Sequence, residues 1–289
     1  MSRTYVIQGG TDGIGAALAR ALFARGDHAI VLGTDARKGA LLLAEAADAP
    51  GGASFVQADL ALVANNRRVA AELAEAHPVI DGLVLCARFF RSRRAVTADG
   101  FEDNFALFYL SRLLLGEGLR APLERAARPV IVNAAGPGHP TPIDWADLQS
   151  AHAYDGVRAM FLTGRLNDLL GVTFAERHGD RIAYVLFHPG TTATGFRGAY
   201  DAPTARFIEQ QKALAKPATD VVPPLLRLLD APPAAPLSAF HLDAPLPLRP
   251  DLFAPADAAR LAELTDALLR EIPARGPRST PRDDGPPAV

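Results

Sequence analysis

The sequence predicts a single α/β domain, a doubly wound parallel sheet with helices on both faces. Two observations carry this reading. Short apolar runs alternate along the chain with stretches whose apolar residues recur at helical spacing, and such alternation builds a parallel sheet covered on both sides. A cluster of glycines also stands between the first apolar run and the first helical stretch, where open α/β sheets place a ligand-binding turn.

The elements follow in order. Tyr5–Ile7 reads as a buried strand and Ile14–Phe23 as the first helix. Ala29–Leu32 is a second strand and Ala40–Ala47 a second helix. Phe55–Gln57, Leu83–Leu85, Val130–Val132 and Tyr184–Phe187 are further strands, separated by helical stretches that include Val69–Ala76 and Phe101–Leu123. Pro223–Pro224 and Pro232–Pro236 break up the C-terminal third. Residues 1–272 are read as the folded domain. Residues 273–289, rich in Pro, Arg, Asp and Gly, are expected to be a disordered tail.

Composition narrows the function. Hydrophobic residues make up 49% of the 289, enough for a substantial core, and the net charge of −2 provides no global basic field for nucleic acid or an acidic membrane. One cysteine excludes an internal disulfide and a cysteine-rich metal site, and no metal is expected. No apolar run approaches the roughly 20 residues that span a bilayer. With a strand directly at the N-terminus, the expectation is a cytoplasmic protein. The heavy use of Ala, Arg and Pro suggests a bacterial source.

Gly9-Gly10-Thr11-Asp12-Gly13-Ile14-Gly15 is the strongest local signal. Glycines here permit a tight turn and close backbone approach to a pyrophosphate, and the following helix presents free N–H groups to the anion. This is the fingerprint of a Rossmann-type dinucleotide site.

The segment resembles the Thr-Gly-x-x-x-Gly-x-Gly turn of the short-chain dehydrogenase/reductase family, with Gln8 in place of the threonine. Further matches follow in order. Asp59-Leu60 is similar to the pair beside the adenine. Thr97-Ala98-Asp99-Gly100-Phe101-Glu102 resembles the opening of the long helix in the retinol-dehydrogenase-like branch. Val132-Asn133 resembles the end of the fifth strand, and His188-Pro189-Gly190-Thr191-Thr192-Ala193-Thr194 the segment that holds the nicotinamide carboxamide. The matches span about residues 4 to 270. The resemblance implies cofactor contacts at Gly9, Thr11, Asp12, Gly13, Ile14, Gly15, Asp59, Leu60, Pro189, Gly190, Thr192 and Thr194. It adds Cys86, Ala87 and Arg88, which replace the family's Asn-Ala-Gly. Leu237–Leu242 resembles the last strand. Asp257–Leu269 resembles the final helix, which implies a homodimer or homotetramer.

Cofactor choice is read from the end of the second strand. An acidic residue there accepts the ribose hydroxyls of NAD(H) and repels a 2′-phosphate. Here the strand ends in Gly33-Thr34, followed by Asp35-Ala36-Arg37-Lys38. Thr34 offers a hydroxyl, and Arg37 and Lys38 offer positive charge. NADP(H) is therefore expected over NAD(H), although Arg37 and Lys38 would equally solvate the start of the second helix.

The catalytic positions depart from the family. The family uses a tyrosine to move the proton, a lysine on the ribose, a serine to polarise the carbonyl and an asparagine for a proton relay. Where the family has Asn-x-Ser-Ser, this chain has Asn133-Ala134-Ala135-Gly136. The family asparagine falls at Phe108, with Asn104 one turn earlier on the same face. Tyr-x-x-x-Lys has two registers, Tyr154–Arg158 and Phe161–Arg165. The family spacing to the His-Pro-Gly histidine lies nearer the second. Either way, arginine replaces lysine; it keeps the charge and can fork onto a diol, but releases no proton near neutral pH. Arg165, Tyr154 and Asn104 are the candidate catalytic groups. His139, His152 and His188 are other titratable groups nearby and match no zinc spacing.

Around the site, Cys86-Ala87-Arg88 leads into Phe89-Phe90-Arg91-Ser92-Arg93-Arg94, a loop suited either to an anionic or aromatic substrate or to plain solvation. Residues 195–217 are read as a lid insertion. Arg91, Trp145, Phe161, Phe196 and Tyr200 are the expected substrate contacts. Two functions stay open: NADP(H)-dependent hydride transfer to a carbonyl or an activated C=C or C=N acceptor through a non-standard site, or the same fold turned to non-redox chemistry (cyclase, isomerase, dehydratase) or to dinucleotide binding alone.

Overall fold

The computed structural model describes residues 2–194, 196 and 198–272; the expected tail lies outside them. Eight strands form one sheet: β1 (Thr4–Gln8), β2 (His28–Gly33), β3 (Gly52–Gln57), β4 (Gly82–Leu85), β5 (Val130–Ala134), β6 (Ala183–His188), β7 (Leu237–His241) and β8 (Ala244–Leu246). Their order is β8-β7-β6-β5-β4-β1-β2-β3. All neighbours are parallel except the β7–β8 hairpin. The order reverses between β1 and β4, which opens a crevice at the carboxyl ends of those strands.

Two apolar clusters sandwich the sheet. One face carries α3 (Val63–Ala76), α4 (Ser111–Gly118), α5 (Gly156–His178) and α8 (Pro255–Arg270). The other carries α1 (Gly13–Ala24), α2 (Ala36–Ala46) and α7 (Val222–Asp230). Strand alternation divides the core accordingly: Val6 and Ile131 point to the first face, Ile7 and Val132 to the second. No helix among the described residues is long and apolar enough to cross a membrane.

Three elements depart from the sequence expectation. Helix α2 starts at Ala36 rather than Ala40, because Asp35 caps it by accepting the Lys38 N–H at 3.0 Å. The stretch expected as one helix over Phe101–Leu123 is instead a turn at Asp103–Phe105, a π turn at Ala106–Leu110, α4, and a short helix at Arg120–Glu124. Pro122 fits that last piece because it falls in a first turn, where no backbone donor is required. The β7–β8 hairpin was not expected; its turn places Leu242 at φ 53°, a conformation that apolar residues do not advertise.

The segment expected as a lid forms a strap that carries the helix α6 (Ala202–Leu214), capped by Asp201 and burying none of its residues. At its base Thr192–Ala193 pairs with Lys216–Pro217, and at its tip Gly198–Ala199 pairs with Phe90–Arg91.

A buried polar strap ties β1 to two helices. The Gln8 side-chain amide donates to Ser111 Oγ at 2.6 Å, and that hydroxyl donates to Asn66 Oδ1 at 2.7 Å. Ser111→Ala would leave a buried donor and a buried acceptor unmatched, each costing about 1–3 kcal/mol. The expected loss is about 2–4 kcal/mol in urea unfolding. A loss below about 1 kcal/mol would show that the strap contributes little.

Candidate active site

The glycine turn sits in the crevice beside the end of β4. Its first N–H groups, of Gly9 and Gly10, donate to the Leu32 carbonyl at 2.9 and 3.2 Å, which moors the turn to β2. A Cβ on Gly9 would stand 2.6 Å from Ala87 Cα, and one on Gly15 only 2.4 Å from the Gly9 carbonyl oxygen. Both contacts are closer than any side chain tolerates, so the turn and the start of α1 close on each other only because these residues lack one. Asp12 caps α1 by accepting the Gly13 N–H at 2.8 Å. The residues present fit a dinucleotide pyrophosphate: a backbone surface clear of side chains, next to a helix N-terminus.

At the end of β2, Thr34 and Arg37 are exposed, while the Lys38 ammonium pairs with the Asp12 carboxylate. Lys38 is thus shared between the expected phosphate pocket and the turn. Asp35 is turned into its cap, and the bond from Lys38 N–H holds its carboxyl below the usual range. At the end of β3, the Asp59 carboxylate accepts the Ala61 N–H at 3.0 Å, and Leu60 is buried.

The ends of β4 and β5 meet on Arg112, which the sequence reading did not single out. Its guanidinium is 4% exposed. It donates to the carbonyls of Ala134 at 3.0 Å and Ala87 at 3.3 Å and to the Asn133 side chain. Burial pulls its pKa down to about 10. Asn133 in turn donates to Asn167 Oδ1 and to the Tyr184 hydroxyl, both at 2.9 Å. A basic residue on an otherwise apolar helix, one turn beyond Phe108, was the available signal. Cys86 is partly buried, and burial pushes its thiol up to about 12, which leaves no thiolate at neutral pH.

Tyr154 and Asn104 come together, but around a third group. The Asn104 amide donates to the Tyr154 hydroxyl at 2.8 Å and to the buried Glu102 carboxylate at 2.9 Å. The tyrosine proton has the Arg91 carbonyl at 3.1 Å and Glu102 at 3.2 Å as acceptors. Burial, then the Glu102 charge, drives the phenol further above its ordinary value. This cluster joins the start of α5 to the Arg91 loop, and it holds Tyr154 in the form least able to cycle a proton.

On α5, Arg158 is exposed and Arg165 is buried. The Arg165 guanidinium bonds Asp168 at 3.0 Å and lines a cavity of about 200 Å³ with Trp145, Asp251 and Asp257. Trp145, expected beneath the lid, stacks instead under Arg260 of α8 at 4.6 Å. Its loop between β5 and α5 runs along the flank of that helix pair. Phe161 stacks on His139 with centroids 4.1 Å apart. Arg91 pairs with Asp103 at 3.0 Å and lies over Phe89 at 4.6 Å. Arg88 reaches Met160. Within the strap, Tyr200 packs on Phe90 at 5.8 Å and donates to the Phe196 carbonyl.

The short chain dehydrogenase family profile matches residues 3–138. Over that stretch, somewhat under half of the chain, the sequence is that of a short-chain dehydrogenase. The match and the relatives below support an NAD(P)-dependent oxidoreductase. The chain is 29% identical to the "Putative daunorubicin C-13 ketoreductase DnrU" of Streptomyces sp. strain C5, over 92% of this chain and 91% of that one. It is 34% identical to the polyprenol dehydrogenase of Mus musculus over 53% of this chain, a match that spans 48% of the mouse protein. A short chain dehydrogenase from Burkholderia cenocepacia J2315, solved in complex with NADP, superposes with a TM-score of 0.62 at 21% identity, covering 83% of this chain and 96% of that one. This chain carries no hydroxyl at Ala135, Gly136 or Phe161.

Asp168 yields a pH test. Burial raises its pKa from 3.8 to about 6, outweighing the Gly138 N–H and Arg165 that favour its charge. Between those values the folded protein keeps a proton that the unfolded chain has already released, so stability falls as pH rises through that window. Asp168→Asn removes the titration. Relative to the variant, the wild type should lose about 2 kcal/mol between pH 4 and pH 7 in urea unfolding. A difference that stays constant with pH would rule out the assignment.

Proposed function

We propose that this protein is an NADP(H)-dependent reductase of activated acceptors, such as a quinone, a conjugated enone or an iminium ion. The observation that carries the reading is the pairing of a turn built for a dinucleotide with an active-site end stripped of its hydroxyls. Gly9 and Gly15 leave the backbone bare, whereas Gly136 and Phe161 stand where the family's serine and tyrosine are expected, and Tyr154 is committed to Glu102 and Asn104. When bound, the dinucleotide supplies the hydride. The turn's remaining N–H groups and the start of α1 hold its phosphates, and Pro189–Thr194 orients its nicotinamide end.

A hydride reaching a simple ketone leaves an alkoxide that needs a positioned acid, and such groups supply about 10²–10⁴-fold in rate. A quinone or enone spreads the same charge over a conjugated system and depends less on that acid. Proximity between cofactor and substrate contributes separately. Arg37, exposed at the end of β2, and Lys38 face a 2′-phosphate in this reading, with Thr34 as a neutral donor.

Two measurements test it. In fluorescence titrations NADPH should bind about tenfold tighter than NADH, and Arg37→Ala should erase most of that margin, as one charge-assisted hydrogen bond would. Equal affinities overturn the cofactor preference. In NADPH-consumption assays, 9,10-phenanthrenequinone should turn over at least about 100-fold faster than cyclohexanone, and Tyr154→Phe should change the quinone rate by no more than about threefold. Rapid cyclohexanone reduction abolished by Tyr154→Phe would make Tyr154 the proton donor. Absence of NADPH oxidation with any acceptor, alongside cofactor-free conversion of a substrate, would favour non-redox chemistry.

A further inference from the structure

We propose that His188 Nε2–H is the hydrogen-bond donor to the acceptor's oxygen, filling the place left bare at the end of β5; this rests on the reductase reading above. His188 is the last residue of β6, between β5 and β7. Tyr184 and Leu186 of the same strand lie in the core on the α5 side, and alternation puts the His188 ring on that side too. Its Nδ1 accepts the Gly190 N–H at 2.9 Å. A neutral imidazole that accepts at one nitrogen carries its proton on the other, so the Gly190 bond fixes the Nε2–H tautomer.

That N–H edge is turned toward Gly136. A Cβ at Gly136 would stand 3.6 Å from His188 Cδ2 and 3.9 Å from Nε2. The place where a side chain would leave the end of β5 is therefore bordered by the donor edge of the ring. The residues that follow His188 tie it to the cofactor turn. They run through Pro189 and Gly190 to Thr194, whose Cβ lies 2.8 Å from where a Cβ on Gly13 would be. One continuous segment thus links the imidazole to the pyrophosphate end of the crevice.

His241, the register partner on β7, stands edge-on to His188 with centroids 4.9 Å apart and planes at 79°. It is the titratable group that faces His188, and among the described residues no carboxylate bonds either ring. Burial, and secondarily His241, lowers the His188 pKa, so the ring stays neutral near pH 7. A neutral imidazole N–H held in place stabilises an oxygen that gains charge without having to surrender its proton. In the step itself, hydride from NADPH bonds to the electrophilic carbon and the acceptor's π pair moves to its oxygen. The Nε2–H hydrogen-bonds that oxygen. Water delivers the proton, leaving hydroxide, and NADPH leaves as NADP⁺.

The test pairs kinetics with spectroscopy. His188→Phe should lower kcat for 9,10-phenanthrenequinone by about 100-fold, the loss typical of one such donor, with NADPH affinity unchanged within about twofold. His188→Gln, whose amide can present an N–H at the same reach, should recover most of that loss. A kcat for His188→Phe within about threefold of wild type overturns the proposal. So does a rate loss in both variants that tracks lost NADPH binding. The second readout does not depend on turnover. In long-range ¹H–¹⁵N spectra of the NADP⁺-loaded protein, assigned with His188→Phe and His241→Phe, His188 should be a neutral Nε2–H tautomer at pH 7. Its Nε2 signal should shift when the quinone is added. An Nδ1–H tautomer, an imidazolium at pH 7, or an unmoved Nε2 signal overturns it. If the wild type reduces no acceptor, the reductase reading fails, and the Nε2 response still decides whether His188 meets the oxygen.

Discussion

The architecture of the site hangs on a buried cation that has no acidic partner among the described residues. Arg112 ties the carbonyl beyond β4 to the carbonyl ending β5, and through Asn133 it reaches Asn167 on α5 and Tyr184 on β6. A guanidinium taken out of water is costly unless its donors are met. Here the Nη donors meet neutral acceptors on β5 and just beyond β4, while the buried Nε has no partner among the described residues. Displacing any of those elements would leave a buried charge short of a partner. The strand ends that border the crevice are therefore locked in relation to one another, and Ala87, held from below, forms the surface against which Gly9 closes.

That arrangement keeps the shape of the crevice independent of the side chains that face it. The rigidity lies in Arg112, Asn133 and Asn167 and in the Glu102–Asn104–Tyr154 cluster, none of which depends on Ala135, Gly136 or Phe161. The positions facing the crevice are free to change character while the positions behind them hold the backbone. Asn104 and Tyr154 were read from the sequence as chemistry. In the fold they brace the start of α5 against the Arg91 loop.

What was legible in the sequence follows period and punctuation. The strands of the parallel sheet are apolar runs bounded by polar residues, and the glycine turn announced itself because Gly9 and Gly15 meet backbone that no other residue could approach. What was hidden depended on long-range partners. Nothing local says that Lys38 turns to Asp12, or that Trp145 lies under Arg260 of a helix more than a hundred residues away. The π turn at Ala106–Leu110 was equally hidden, because its residues are uniformly apolar and carry no breaker. Leu242 at a positive φ shows the same limit from the opposite side: the hairpin forces the conformation, and the residue gives no sign of it.

The strap over the crevice has an asymmetry of its own. Helix α6 buries nothing, so the strap is fastened by its two short pairings rather than by a core. The base adds one bond, from Lys216 N–H to the Thr191 carbonyl at 3.0 Å. The tip adds more: Ser92 donates its N–H to Ala199 at 3.0 Å and accepts from Asp201 N–H at 2.6 Å, and Phe90 packs on Tyr200. Elements with few buried apolar contacts open at far lower free energy than the domain unfolds. The tip is thus the more firmly held end of the strap, fastened by hydrogen bonds to the Phe90–Ser92 loop rather than by burial of α6.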